Sequence, residues 1–332
     1  MALIAKKYHG EIVDLHHYGH IVVADVNGKI LWQLGDPNRI TYSRSSAKPM
    51  QAIPVVESGA LDVYGITEKE LAVMCASHNS EGFHAEAVLS ILKKAGLDEN
   101  YLQCGTHYPL AVHMENKFRA EGIVPKTVHS NCSGKHSGML VTAKVLNESL
   151  DDYYLPSHPL QKRITDTIAE ICEYPADKIV IGCDGCGVPV HAMPLYKFAQ
   201  GYAKMSKPET LAGERENTVR RITSAMTDYP EMIAGTTSFD TELMQAFGDR
   251  LFSKNGASAF YAIGLKGKGL GIVMKMEDGN SNIIPLAVLE TLVQIGEITA
   301  DEALNLPNFK GLLNTNHKKE LIGKTVTDFV LG

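Results

Sequence analysis

Strand signals gathered at the two ends of the chain, with helical signals filling its middle, predict an α+β protein: a mostly antiparallel sheet built from both termini beside a helical lobe. At the first end, residues 20–25 and 29–34 are apolar runs flanking Asn27-Gly28, a dipeptide suited to a tight hairpin. At the other end, residues 258–264 and 270–276 flank Gly267-Lys268-Gly269, and residues 325–330 read as a last strand. Between them, residues 39–43 make a short strand that leads into a helix over 46–59, with Pro49 in its first turn, where a missing N–H does no harm. Thr67-Glu68-Lys69-Glu70 is a capping box opening a helix through Ala76. Further helices are expected over 81–94, 158–173, 193–205, 208–227 and 285–295, with residues 98–110 as loop and 179–189 as a short strand entering a glycine-rich turn. The expected organisation is one catalytic domain over 1–332, its sheet lobe at about 1–45 and 230–332 and its helical lobe at about 46–229, with a cleft between them.

A chain of 332 residues that is 44% hydrophobic has ample material for one large core. Its formal net charge of −6 gives no reason to expect nucleic acid or an anionic membrane as partner. No apolar run approaches the roughly 20 residues that span a bilayer. Residues 1–7 carry too short an apolar run for a signal peptide, so the cytoplasm is the expected compartment. Six cysteines in that setting read as reduced thiols or metal ligands.

The chemistry centres on Ser45-Ser46-Ala47-Lys48, a Ser-x-x-Lys motif at the entrance to a helix. One helical turn places residues i and i+3 on one face, so Lys48 is expected beside the Ser45 hydroxyl. A serine hydroxyl needs a neighbouring base, and a lysine serves only when neutral. Bringing a lysine pKa to about 7 costs roughly 4–5 kcal/mol, which calls for a buried, cation-rich pocket. The motif alone is common: Ser90-Ile91-Leu92-Lys93 repeats it on an amphipathic helix with its lysine in solvent. What distinguishes Ser45 and Lys48 is the later Ser77-His78-Asn79 and Lys254-Asn255-Gly256. Ser-x-x-Lys, Ser-x-Asn and Lys-x-Gly in that order are the signatures of serine β-lactamases and penicillin-binding proteins, whose fold is the expected one.

Residues 44–52, 76–81, 131–139, 183–189 and 254–257 resemble the rhizobial-type (class 3) L-asparaginases. The block Asn131-Cys132-Ser133-Gly134-Lys135-His136 is the most specific part of the match. The resemblance covers nearly the whole chain. It implies a serine-β-lactamase-like fold, a homodimer, and hydrolysis of L-asparagine to aspartate and ammonia. It pairs Ser45 with Lys48 and Ser77 with Lys254 for acyl transfer, Ser45 attacking and Ser77 remaining the alternative nucleophile. It also implies that Arg44 takes the substrate α-carboxylate, that Asp184 takes the α-ammonium, and that His136 lies close by. Cys132, Lys135 and Cys186 are implied zinc ligands, leaving room for water. One departure is Ser258-Ala259, where relatives commonly carry Glu-Gly.

Read without that resemblance, several of these residues have plainer meanings. Arg44 suits a bidentate carboxylate contact but also an open surface, and Asp184 suits an Asx turn. Cys183-x-x-Cys186 suggests a redox pair or half a zinc site. His78 and Asn79 read as shaping the Ser77 turn, and His107 as a loop anchor. The competing functions are another Ser-x-x-Lys amidohydrolase, acting on glutamine or β-lactams, and a non-hydrolytic zinc or thiol protein.

Overall fold

The computed structural model describes residues 1–306 and 312–332. Its large sheet has the strands β1 (Ala2–His9), β2 (Ile12–Asp25), β3 (Ile30–Leu34), β7 (Leu251–Gly256), β8 (Phe260–Leu265), β9 (Leu270–Met276), β10 (Leu312–Thr315) and β11 (Leu321–Thr327). A small sheet is formed by β4 (Ile40–Tyr42), β5 (Val180–Cys183) and β6 (Pro189–Pro194). The large sheet runs β10-β11-β1-β2-β9-β8-β7, antiparallel throughout. The second half of β2 also pairs with β3 through the predicted hairpin, where Gly28 takes a φ of 78°. The sheet is therefore assembled from both ends of the chain, with the helices from the middle forming the other lobe, as the pattern of strands and helices predicts.

Side chains alternate across a strand, so a strand buried at every position is covered on both faces. That is the case for β8. Helix Leu195–Ser206 lies against β2, β8 and β9. The approach is close enough that a Cβ on Gly271 would stand 1.9 Å from the Ala199 carbonyl oxygen. In the helical lobe, helix Ser133–Val145 is buried from Ser133 to Ala143 and packs on helices Glu68–Met74 and Gly82–Lys94.

Several local expectations change: the last strand is Leu321–Thr327 rather than 325–330, and the helix expected over 208–227 is a 3₁₀ turn Pro208–Thr210 followed by a helix Glu214–Asp228. The single helix over 46–59 is instead a 3₁₀ turn Arg44–Ala47 followed by short helices Lys48–Gln51 and Ile53–Glu57. Pro54 explains the break, because it has no N–H to bond back into the preceding turn. Strand β8 begins at Phe260 rather than Ser258, since Ser258 and Ala259 occupy the left-handed region at φ 59° and 55° and form the β7–β8 turn. The glycine-rich turn at 184–188 is followed by β6, the centre of the small sheet, which the sequence pattern does not announce.

Replacing Gly271 by Ala drives a methyl group into helix backbone that has no rotamer to yield. Overpacking of this kind costs about 3 kcal/mol, read as a lowered denaturation midpoint. An unchanged midpoint would contradict the packing described.

Candidate active site

Strands β4 and β5 both pair antiparallel with β6, so they run parallel to each other and their C-terminal ends emerge side by side. Arg44 follows the first and Asp184 the second. Their side chains meet: Arg44 donates from Nε to Asp184 Oδ1 at 3.0 Å, and a second nitrogen lies 2.9 Å from the same oxygen. Arg44 holds a φ of 51°, an uncommon conformation for a residue with a Cβ and one that recurs where function fixes the backbone. Asp184 also accepts the N–H of the next residue, Gly185, at 2.9 Å, rather than that of the residue two on, which an Asx turn would use.

The 3₁₀ turn that carries Ser45 is clamped from three sides. The Ser43 N–H donates to the His191 carbonyl of β6, Ser46 Oγ donates to the Lys254 carbonyl of β7 at 2.8 Å, and Tyr202 Oη donates to the Ser46 carbonyl at 2.7 Å. Ser45 itself opens onto a cavity of about 220 Å³ that Arg44, Asp184, His107, Asn131, Cys132, Cys186 and Ala257 also line. Arg44 and Asp184 are thus both on the wall, paired with each other, a cation and an anion side by side.

Both lysines are buried, Lys48 at 1% exposure and Lys254 at 0%. The pairing differs from the expected one. Lys48 Nζ donates to Ser77 Oγ at 3.0 Å and to the carbonyls of Ala76 and Asn131, and no hydrogen bond joins it to Ser45. Three acceptors match the three donors of an ammonium group. The cause is the 3₁₀ start of the helix, together with the carbonyls at the end of helix Glu68–Met74 and before Ser133–Val145, which compete for the amine. Lys254 Nζ donates to the carbonyl and side-chain oxygens of Asn255 rather than to Ser77. Burial pushes the Lys254 pKa down to about 7; the Asp240 carboxylate opposes that fall and the Lys48 charge adds to it. The near-neutral amine that such chemistry requires is therefore found at Lys254.

Cys132, Lys135 and Cys186 come together. Lys135 Nζ lies 3.0 Å from Cys186 Sγ, and Cys132 donates its S–H to the same sulfur. That hydrogen bond, with Lys135 and His136 alongside and against the effect of burial, holds the Cys186 thiol well below its ordinary pKa, while Cys132 is pushed up. For Lys135, burial works against the charge, but the two sulfurs and Asp184 outweigh it and raise its pKa. Two sulfurs and one amine in mutual contact form a donor set that suits a borderline-soft ion such as Zn²⁺ once the amine is deprotonated. Among the described residues, no cluster of three His, Cys, Asp or Glu side chains suits a metal. His136, at 0% exposure, is not on the cavity wall; its Nδ1 meets Tyr153 Oη at 2.7 Å, so it supports the cluster from behind.

His78 is a satisfied buried residue, donating from Nε2 to Ser133 Oγ at 2.8 Å and accepting the Ser80 N–H at Nδ1. His107 anchors its loop, as its Gly-Thr-His-Tyr-Pro setting suggests, by donating from Nδ1 to the Tyr108 carbonyl at 2.7 Å. It also lines the cavity, which its sequence setting does not reveal. Asn131 and Asp240 escape the motif reading. Asn131 is visible in hindsight as the first residue of Asn-Cys-Ser-Gly-Lys, whereas Asp240 lies in an unremarkable amphipathic helix. Among the described residues no helix is long and apolar enough to cross a membrane.

A family model for L-asparaginase II matches residues 5–327. No curated protein matches the chain. Among solved structures, Mglu in its native form is similar at 12% sequence identity and TM-score 0.48, over 90% of this chain and 69% of that one. A putative β-lactamase from Bacteroides dorei is 12% identical at TM-score 0.43, over 82% of this chain and 92% of that one. A β-lactamase from Mycobacterium bovis is 12% identical at TM-score 0.42, over 84% and 95% respectively.

A buried amine with a depressed pKa has a stability signature. Unfolded lysine binds its proton up to about pH 10.4, whereas folded Lys254 releases it near pH 7, so folding is penalised in full below pH 7 and progressively less as pH rises toward 10. The variant Lys254→Met escapes the penalty. It should be more stable than the parent by a few kcal/mol at pH 6, on the order of what a shift of several units implies, with the gap closing by pH 10. Equal stability across that range would contradict the buried, near-neutral amine.

Proposed function

The chain belongs to the L-asparaginase II family, and from that premise we propose that it hydrolyses the side-chain amide of L-asparagine to L-aspartate and ammonia through an acyl-enzyme. The observation that carries this reading is the Ser45 hydroxyl on a cavity whose wall also holds a guanidinium and a carboxylate, with Ser77 hydrogen-bonded to the buried Lys48 and the buried Lys254 within electrostatic reach of Lys48. An amino-acid substrate presents the complementary pair of charges. Its α-carboxylate accepts from the Arg44 guanidinium and its α-ammonium donates to Asp184, which leaves the side-chain amide over Ser45.

Ser45 Oγ then attacks the amide carbon, and its proton passes to the neutral amine of Lys254, whose strand lies against the serine turn. The oxyanion accepts from the backbone N–H groups of Ser45 and Ala257, each worth about 3–4 kcal/mol when well aimed. As the C–N bond breaks, the departing nitrogen takes a proton from Ser77, which Lys48 replenishes, and leaves as ammonia. The proton held on Lys254 then returns to Lys48 by way of Ser77, water attacks the aspartyl ester with the again neutral Lys254 accepting its proton, and that proton passes to Ser45 Oγ as the ester bond breaks. Proton transfers placed in this way contribute about 10²–10⁴-fold.

The donor set Cys132, Lys135 and Cys186 would hold zinc beside this cavity. A bound zinc supplies a fixed positive charge that polarises a neighbouring group. In the metal-free state Lys135 is an ammonium and Cys132 a thiol, so both shed a proton when they ligate.

The substitution Ser45→Ala should lower ammonia release from asparagine by at least about 10³-fold with the fold retained, and normal release would end the proposal. Asparagine should outpace glutamine in the same assay; the reverse order would make the enzyme a glutaminase. For the metal, calorimetric zinc titrations in buffers of different ionisation enthalpy should show about two protons released per ion bound, falling by one in Lys135→Met. No binding, or binding without proton release, would remove zinc from the site.

A further inference from the structure

Asp240 takes no part in the chemistry above, yet it is a buried carboxylate within electrostatic reach of Lys254. It sits in the first turn of helix Phe239–Phe247, at 2% exposure, against β7. Its Oδ1 accepts the Asn255 backbone N–H at 2.7 Å. Asn255 in turn accepts Lys254 Nζ through its carbonyl and side-chain oxygens. One residue thus links the carboxylate to the amine: Asp240 fixes Asn255, and Asn255 fixes Nζ. The carboxylate also borders a second cavity, of about 210 Å³, which Asn255, Gly256, Ala259 and Tyr261 share.

A charge removed from water is expensive without a counter-charge. No ion pair joins Asp240 to Lys254 directly among the described residues, so the attraction acts across the strand, in an interior where Coulomb forces are weakly screened. The other groups within electrostatic reach of Lys254 are Lys48 from helix Lys48–Gln51, Cys75 at the end of helix Glu68–Met74, and Cys132 before helix Ser133–Val145. Tyr202 and Tyr261 are the phenols near Asp240. Of these groups Asp240 is the carboxylate, and it alone is tied by a hydrogen bond to the residue that holds Nζ.

We propose that Asp240 is the positioning residue for proton transfer at Lys254, holding the amine through Asn255 and acting on its charge across β7. The assignment rests on the reading of Lys254 as the base. Removing the negative charge destabilises the ammonium form, so the amine stays neutral to lower pH. The change Asp240→Asn keeps an oxygen for the Asn255 N–H and deletes the charge; Asp240→Ala deletes both.

The test is an NMR titration of the lysine Nζ resonances, with Lys254 assigned by its loss in Lys254→Met. In Asp240→Asn the Lys254 titration should move down by about one unit, and the acid limb of asparagine hydrolysis should move with it. In Asp240→Ala, kcat should in addition fall about tenfold, as expected when a supporting contact is lost. A Lys254 titration that stays in place in Asp240→Asn overturns the proposal. Should that variant not fold, the ¹³C carboxyl resonance of Asp240 in the unmodified protein decides. Asp240 must be ionised throughout the range in which Lys254 titrates, and a carboxyl still protonated there overturns the assignment. A shifted Lys254 in a protein that releases no ammonia from any amide would sink the function proposed above while leaving the coupling intact.

Discussion

Two lysine amines buried beside each other are the constraint around which this molecule is arranged. Each ammonium taken from water costs several kcal/mol, and like charges add to that. The structure meets the cost differently for each. Lys48 is given three oxygen acceptors, from Ala76, Ser77 and Asn131, which satisfy an ammonium. Lys254 receives Asn255 and the field of Asp240, and is left with a pKa of about 7. The asymmetry separates their roles, one amine held by three acceptors and one poised to exchange a proton, in the way paired titratable groups are set apart in acid–base sites.

The surroundings follow from that need. The Lys48 acceptors come from the ends of two helix segments in the middle of the chain, while Lys254 comes from a strand near the other end. Each amine therefore finds its acceptors within its own lobe, and the two charges act on each other only where sheet and helical lobe meet. The small sheet does the corresponding work on the rim. By running β4 and β5 parallel on either side of β6 it delivers Arg44 and Asp184 from 140 residues apart to one hydrogen bond. The sulfur cluster is built on the same logic, Cys132 and Lys135 from the start of a buried helix and Cys186 from the turn between β5 and β6.

Much of this was legible in the sequence, and for identifiable reasons. Alternating apolar runs and the Asn27-Gly28 turn report backbone geometry locally, so the sheet from both termini could be anticipated. Ser45, Lys48, Ser77 and Lys254 stand in short motifs whose order is informative; the structure joins Lys48 to Ser77, sets Lys254 within electrostatic reach of Lys48, and places Ser45 on the cavity wall. Which hydroxyl meets which amine was not legible, because it depends on carbonyls of Ala76 and Asn131 that any sequence would supply. His136 lies close by, as expected, but behind the cavity wall: it stands against Cys186 and bonds Tyr153 rather than facing the cavity itself. Asp240 left no trace, since its role comes from packing between a helix and β7 rather than from neighbours in the chain.

The account turns on Ser45 carrying the acyl group above a neutral Lys254. Rapid-quench mass spectrometry of the protein mixed with L-asparagine reads this directly. The account predicts an aspartyl ester on the peptide containing Ser45, formed in the first turnover at a rate that falls as the pH is lowered below 7 and Lys254 takes up its proton. An ester found on Ser77, or turnover with no covalent adduct at any pH, would contradict it.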